Sequence, residues 1–244
     1  MQLLIDTLQI EKSDFSNRKN LGYIIISHFY HKLKLDKFIN SKKRSTDVIF
    51  NMDKVFQMLI NARIINPDSK LGTFHNKETF FEPMDFQLQH VYRTLDYLFQ
   101  WKSSLVRHLN NQMKKQFSRD ITLMYYDVTN YYFEIDEPKE MKQSGVSKEH
   151  RPNPIIQMGL FMDDMGIPVS YRLFDGNTND CLTLQPNMKT IKDDLHVKDI
   201  IVVADKGMMT GDKPLKTKSK FLKDNYFLLN KTVSDIGIIE IPYK

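Results

Sequence analysis

The stretch Asp199-Ile200-Ile201-Val202-Val203-Ala204-Asp205 holds five apolar residues in a row between two aspartates. A short unbroken apolar run of this kind is the mark of a strand covered on both faces, as in a parallel sheet flanked by helices. Upstream of it, Leu182–Leu195 carries a helical pattern in which Pro186 is tolerable only near the first turn. Before that, Ile155–Met162 and Ile167–Phe174 are apolar runs joined by the turn Asp163–Gly166, the pattern of an antiparallel hairpin. Ile121–Ile135 is rich in β-branched and aromatic residues, with Leu123, Tyr125, Asp127 and Thr129 alternating onto one face. Downstream, Lys213–Asp224 reads as a helix and Tyr226–Leu229 as a strand. Residues 120–244 therefore read β-β-β-α-β-α-β, an α/β domain with a hairpin and then a crossover.

Residues 1–119 follow a different period. Leu21, Ile25, Phe29, Leu33 and Phe38 recur at helical spacing across Asn17–Ile39. A second helix is expected from a cap at Ser45 or Asp47 through Val48, Met52, Val55, Leu59 and Ile60, stopping before Pro67. After a loop containing Gly72, Asp85 is the expected cap of a third pattern, Leu88, Val91, Leu95 and Leu98, which Leu105, Leu109, Met113 and Phe117 continue. Tyr92, Arg93, Trp101 and Arg107 fall on this helical stretch and read as packing residues rather than base-stacking ones.

Composition narrows the function. The chain has 244 residues, 41% of them hydrophobic and 27% charged, which excludes collagen-like, low-complexity and disulfide-scaffold classes. No apolar run approaches the length of a membrane span. The acids Asp6, Glu11 and Asp14 near the start argue against a signal peptide. One cysteine, Cys181, builds neither an internal disulfide nor a thiolate zinc site, so a reducing, cytoplasmic setting is expected. The net charge of +5 is unevenly spread. Residues 1–119 hold 19 Lys+Arg against 11 Asp+Glu, and residues 120–244 hold 16 against 19. A basic front half points to an anionic partner, most often nucleic acid.

Two aspartates stand apart from the other acids by their placement. Asp127 interrupts an apolar strand and Asp205 closes one. Such positions are costly for a carboxylate unless it is paired or binds a metal, and open α/β sheets place ligands at the carboxyl ends of strands. If the first and fourth strands are neighbours, the two carboxylates share one site. Hard oxygen donors of this kind suit Mg²⁺ or Mn²⁺ acting on a phosphodiester. Lys142, Lys148, His150 and Arg151 form a basic loop between the first two strands, which reads as a solvated loop or, beside a metal site, as a contact to phosphates; Lys206, after Asp205, reads as a surface charge or a phosphate contact. No Walker loop, G-x-G-x-x-G, H-E-x-x-H or G-x-S-x-G pattern is present.

Several blocks carry a family resemblance. Tyr126-Asp127-Val128-Thr129-Asn130-Tyr131-Tyr132-Phe133-Glu134 resembles the first-aspartate motif of bacterial insertion-sequence transposases of the IS-four superfamily. Gly145-Val146-Ser147-Lys148-Glu149-His150-Arg151-Pro152-Asn153, Gly166-Ile167-Pro168 and Gly176-Asn177-Thr178-Asn179-Asp180 are similar to the following blocks, in the same order. Val203-Ala204-Asp205-Lys206-Gly207 is similar to the second-aspartate block. The resemblance covers roughly residues 17–215.

The resemblance implies an RNase H-like catalytic domain over residues 120–244, incomplete and preceded by a helical, basic, DNA-binding region over 1–119. It implies an Asp-Asp-Glu triad whose first two members are Asp127 and Asp205, with Mg²⁺ or Mn²⁺ as cofactor. The implied partners are double-stranded DNA, as transposon ends and as target, and a second copy in a homodimer. The implied setting is cytoplasmic and nucleoid-associated. The reaction implied is hydrolytic cutting at transposon ends followed by attack of the freed 3′-hydroxyl on target DNA. Asp180 reads as a support for the site or, in preference, as the cap of the following helix. The sequence departs from the family after about Lys220: among Asp212, Asp224, Asp235 and Glu240 no third-acid block is recognisable. The expectation is a chain cut short before the catalytic glutamate. An alternative reading is a non-catalytic DNA-binding or dominant-negative remnant.

Overall fold

The computed structural model describes residues 19–80, 82–145, 152–195, 200–205 and 226–231, with positions 181, 192, 193, 200, 205 and 226–231 described by their backbone. The chain divides into two compact units, Met1–Gln116 and Phe117–Lys244.

The first unit is helical. Its helices are α1 (Tyr23–Lys32), α2 (Leu35–Lys43), α3 (Met52–Ile65), the short α4 (Lys70–His75), α5 (Leu88–Gln100) and α6 (Lys102–Phe117). Helix α3 is buried almost all round, through Met52, Val55, Phe56, Met58 and Ala62, because it lies between two apolar clusters. One is built with Tyr23, Phe80, Met84, Phe86 and Val91, the other with Tyr30, Leu35, Phe38, Ile39 and Val48. The chain leaves α3 at Asn66, the residue ahead of Pro67, as the sequence requires.

Four details differ from the sequence reading. The helix expected over Asn17–Ile39 is two helices, broken where Lys34 takes a left-handed conformation at φ 55°. Its buried side is Tyr23 and Tyr30, whereas Leu21, Ile25 and Phe29 are 57%, 69% and 46% exposed. Tyr30 turns inward because its hydroxyl donates to the Asp53 carboxylate at 2.6 Å; burial, reinforced by Asp53, pushes its pKa up, so it remains a donor. The cap of α3 is Asn51, whose Oδ1 accepts from the Lys54 amide, while Asp47 instead holds Arg93 and Tyr97. Likewise Gln87 and His90, not Asp85, form a reciprocal capping box at the start of α5.

The second unit is a five-stranded sheet, β1 (Leu123–Tyr132), β2 (Ile155–Met162), β3 (Pro168–Asp175), β4 (Ile200–Asp205) and β5 (Tyr226–Lys231), with α7 (Leu184–Leu195) between β3 and β4. The strand order is β3-β2-β1-β4-β5. β1, β2 and β3 pair antiparallel, and β4 and β5 join β1 in parallel. An antiparallel meander extended by parallel strands in this order is the RNase H-like α/β arrangement. The helix expected over Lys213–Asp224 lies outside the described residues. One face of the sheet buries Met124, Tyr126, Val128, Phe161, Val202 and Ala204 against Leu184, Met188 and Ile191 of α7. Pro186 sits in the first turn of α7, where its missing N–H breaks no helical bond.

The β2–β3 turn is fastened by a buried ion pair. Gly166 takes φ 75°, which closes the turn without a Cβ penalty. The Asp163 carboxylate accepts from the amides of Met165 and Ile167 and, at 2.8 Å, from Arg119 Nε. Arg119 Nη2 also donates to the carbonyls of Ile167 and Pro168. Both side chains are about as buried as the apolar core, at 5% and 3% exposure. Removing one member leaves the other charged and unsatisfied, which costs ~3–5 kcal/mol. Asp163→Ala should therefore lower the unfolding free energy of the chain by that amount in urea titrations; a loss under ~1 kcal/mol would contradict the pair's role.

Candidate functional site

Strand β1 alternates cleanly. Met124, Tyr126 and Val128 are buried under α7, so Tyr125, Asp127 and Thr129 stand on the opposite, exposed face. The last residues paired between β1 and β4 are Tyr126 and Ala204. One step further along two parallel strands, position 127 lies beside position 205. Val202 and Ala204 are buried in phase with Met124 and Tyr126, so by the pleat the two aspartate positions share a face. β4 ends at 205 while β1 runs on to Tyr132. Position 205 is thus at a strand's carboxyl end, where such sheets place ligands. The condition set by the sequence, that the first and fourth strands be neighbours, is met.

On its other side Asp127 faces Leu160 of β2, and its face-mates there are Met158 and Met162. The Tyr131 hydroxyl approaches Met158 Sδ at 3.7 Å. The β2 side is therefore apolar, and the second carboxylate position comes from β4. Among the described residues no group of three or more His, Cys, Asp or Glu side chains comes together. A pair of carboxylates offers only hard oxygen donors, which fits a cation that keeps several waters and takes phosphate oxygens as further ligands, as Mg²⁺ does. It does not fit the nitrogen and sulfur sets that hold zinc. Lys148, His150, Arg151 and Lys206 lie outside the described residues, as do Asp212, Asp224, Asp235 and Glu240. Of the basic loop, Lys142 is described: its ammonium stands 4.9 Å above the Phe133 ring.

Beneath β1, on the α7 face, lies a polar network that sequence reading did not find. The Tyr126 hydroxyl donates to Thr183 Oγ1 at 2.8 Å, and the Thr183 hydroxyl donates to the Asp180 carbonyl at 2.6 Å. Asn187 Nδ2 donates to the Gly159 carbonyl, and Gln157 Nε2 donates to the Asp180 carboxylate. Burial raises the Tyr126 pKa, so the phenol stays protonated as a donor. Asp180 opens a 3-10 turn, Asp180–Leu182, ahead of α7, and its carboxylate holds β2 through Gln157. A Cβ on Gly159 would run into the Tyr126 hydroxyl and come within 2.9 Å of Asn187 Nδ2. The signal for this network was a tyrosine next to the strand aspartate and a bare glycine inside the facing strand.

Two of the family-like blocks also meet. A Cβ on Gly145 would strike the Gly176 carbonyl, and one on Gly176 would strike the carbonyls of Ile155 and Gln143. The Gly176 amide donates to the Met141 carbonyl at 3.0 Å, and Gln143 and Ile155 exchange both backbone bonds. The loop after β1 is thereby pinned to the end of β3. A cavity of about 660 Å³ belongs to the first unit, between the start of α1 and the end of α3, and no acid lines it.

No protein-family model matches the chain, and no curated protein does. Among solved structures it is similar to a Mos1 transposase paired-end complex with left transposon end, at 10% identity and a TM-score of 0.30. It is also similar to a Mos1 mariner paired-end complex with Mn, at 13% and 0.28, and to a Mos1 strand transfer complex, at 12% and 0.29. Each alignment covers 76% of this chain and 60% of the other, so the chain spans about 60% of the length of the transposase chains it resembles. The strand order and senses, not these likenesses, fix the fold.

The network under β1 predicts graded losses. Tyr126→Phe removes one hydrogen bond and should cost about 1 kcal/mol. Gly159→Ala forces the Tyr126 ring to shift and should cost ~1–3 kcal/mol. Denaturant titrations of both variants test this, and a Gly159→Ala protein as stable as wild type would show that β1 and β2 are not packed this closely.

Proposed function

We propose that the chain is a DNA transposase of the Asp-Asp-Glu type, similar to those of bacterial insertion sequences that cut and join transposon-end DNA by metal-dependent phosphoryl transfer, with Asp127 and Asp205 as its first two acids and no third-acid block recognisable in its sequence. The observation that carries this reading is the β1–β4 register, which sets Asp127 beside position 205 at the carboxyl end of β4. The motif blocks around both aspartates, in family order, support the same reading.

In it, Asp127 and Asp205 are the catalytic and metal-holding residues. They bind and orient, and the apolar β2 side keeps competing ligands away from Asp127. A divalent cation, Mg²⁺ or Mn²⁺, supplies charge neutralisation at a phosphodiester and activation of an attacking hydroxyl when bound. Lys148, His150, Arg151 and Lys206 are proposed to contact DNA phosphates. The basic first half, residues 1–119, is proposed to hold double-stranded DNA, and a homodimer to bring two ends together. Among the described residues no helix is long and apolar enough to cross a membrane; the setting proposed is the bacterial nucleoid.

The test is nicking of supercoiled plasmid in Mn²⁺. Asp127→Asn and Asp205→Asn should each lower the nicking rate by more than the ~10–100-fold typical of losing an outer-shell partner, while leaving DNA binding in place. Metal-dependent nicking that survives both substitutions would refute the site. Duplex binding without any nicking by the wild-type chain would select the non-catalytic, DNA-holding role instead.

A further inference from the structure

The positive charge of the first unit is concentrated on two elements that pack together. From Lys32 to Arg44 the chain carries Lys32, Lys34, Lys37, Lys42, Lys43 and Arg44 against Asp36 alone. Helix α6 carries Lys102, Arg107, Lys114 and Lys115 and no acid. Every other acid between Lys19 and Phe117, from Asp47 to Asp96, lies outside these two stretches.

The two stretches are joined by a specific contact. His108 of α6 packs on Phe38 of α2 with ring centroids 5.0 Å apart, and its Nε2 donates to the Leu33 carbonyl at 2.9 Å. Leu105 and Leu109 of α6 pack on the cluster formed by Leu35, Phe38 and Ile39. Packed helices have axes ~8–10 Å apart, close to the Debye length of ~8 Å at physiological salt. The contact through His108, Leu105 and Leu109 brings the two basic stretches to one region of the first unit.

Most other cations in the unit are used within the fold. Arg93 pairs with Asp47, Lys54 pairs with Glu82, and Lys77 donates to the carbonyls of Met84 and Phe86 between two aromatic rings. Lys43 is also used in this way, donating to the Phe50 carbonyl. Lys37, Arg44, Lys114 and Lys115 are exposed, and among the described residues none has a carboxylate partner. Like charges gathered against a single acid raise the energy of the compact state, a cost that an anionic polymer laid across them removes.

We infer that the α2–α6 pair is the face by which the first unit holds duplex DNA, with Lys37, Arg44, Lys114 and Lys115 as phosphate contacts. This rests on the DNA-processing reading for its partner, but it concerns a surface in a different unit from Asp127. Its test is therefore run in EDTA, where the metal site contributes nothing, and Asp127→Asn should bind like wild type.

The probes are a 30-bp duplex of arbitrary sequence and vesicles of phosphatidylserine and phosphatidylcholine. Three double variants of the full chain each remove two cations: Lys37→Gln with Arg44→Gln, Lys114→Gln with Lys115→Gln, and, away from the face, Arg63→Gln with Lys70→Gln. Each face variant should lower duplex affinity about tenfold at ~50 mM salt and flatten the log–log salt slope by about 2, at ~0.9 per contact. The Arg63/Lys70 variant should keep the wild-type slope. Bound duplex should also protect Lys37, Lys114 and Lys115 of the wild-type chain from acetylation, which reads the face without any substitution. The inference is overturned if all three variants lose affinity equally, if the face variants bind as wild type does, or if the wild-type chain binds no duplex. It is also overturned if the face variants lose vesicle binding alone. Loss of nicking in Asp127→Asn with the face intact, or the reverse, separates the two readings.

Discussion

Where β1 meets β4, Tyr126 lies beside Ala204, and the side chains of both are sealed under α7. A slip of one residue in β1 would turn Tyr126 and Val128 to the open face and drive Asp127 among Phe161, Met188 and Ile191. Burying that carboxylate unpaired costs several kcal/mol, so the core itself fixes the register. The same alternation that makes β1 a core strand holds Asp127 out of the core, level with the end of β4. Packing and chemistry are therefore one constraint read on two faces of a strand.

The strand is held from both ends and from below. Arg119, just ahead of β1, is bound into the β2–β3 turn through Asp163. Past the end of β1, Gly145 and Gly176 let two loops approach to backbone contact. Beneath it, Tyr126, Thr183, Asp180 and Gln157 link β1 and β2 to the start of α7 by hydrogen bonds. The amide oxygens of Gln157 and Asn187 are buried without a partner among the described residues, but the bonds still tie β1 and β2 to the start of α7 directly behind the residue at which divalent-ion chemistry is proposed. A functional side chain is positioned best when it stands on a regular element backed by packed neighbours.

Much of this was legible in the sequence, for reasons that differ by element. The run Ile200–Ala204 admits few readings, and the Asp163–Gly166 turn declares a hairpin, so the α/β order of the second unit followed from pattern. The first unit was harder because its helices are apolar on more than one side. Leu21, Ile25 and Phe29 keep helical spacing yet are exposed, while Tyr23 and Tyr30, which spacing alone passed over, form the buried face. Tyr30 is drawn inward by Asp53, a partner on another helix, and no local period encodes that contact. The caps were misplaced for a similar reason: Asp47 looks like a cap but is taken by Arg93 and Tyr97 from α5. At the candidate site, strand position singled out Asp127 and Asp205. The supporting network stayed hidden because Thr183, Asn187 and Gln157 gain meaning only once α7 is laid on the sheet.

The central claim is that Asp127 and Asp205 form one cation site. Electron paramagnetic resonance of Mn²⁺ titrated into the full chain measures this without DNA or turnover. The account predicts that the wild-type protein depletes the free Mn²⁺ signal, and that Asp127→Ala and Asp205→Ala each abolish the same binding event, with no further loss when combined. Saturable Mn²⁺ binding that both single variants retain, or that each halves independently, would contradict a shared site.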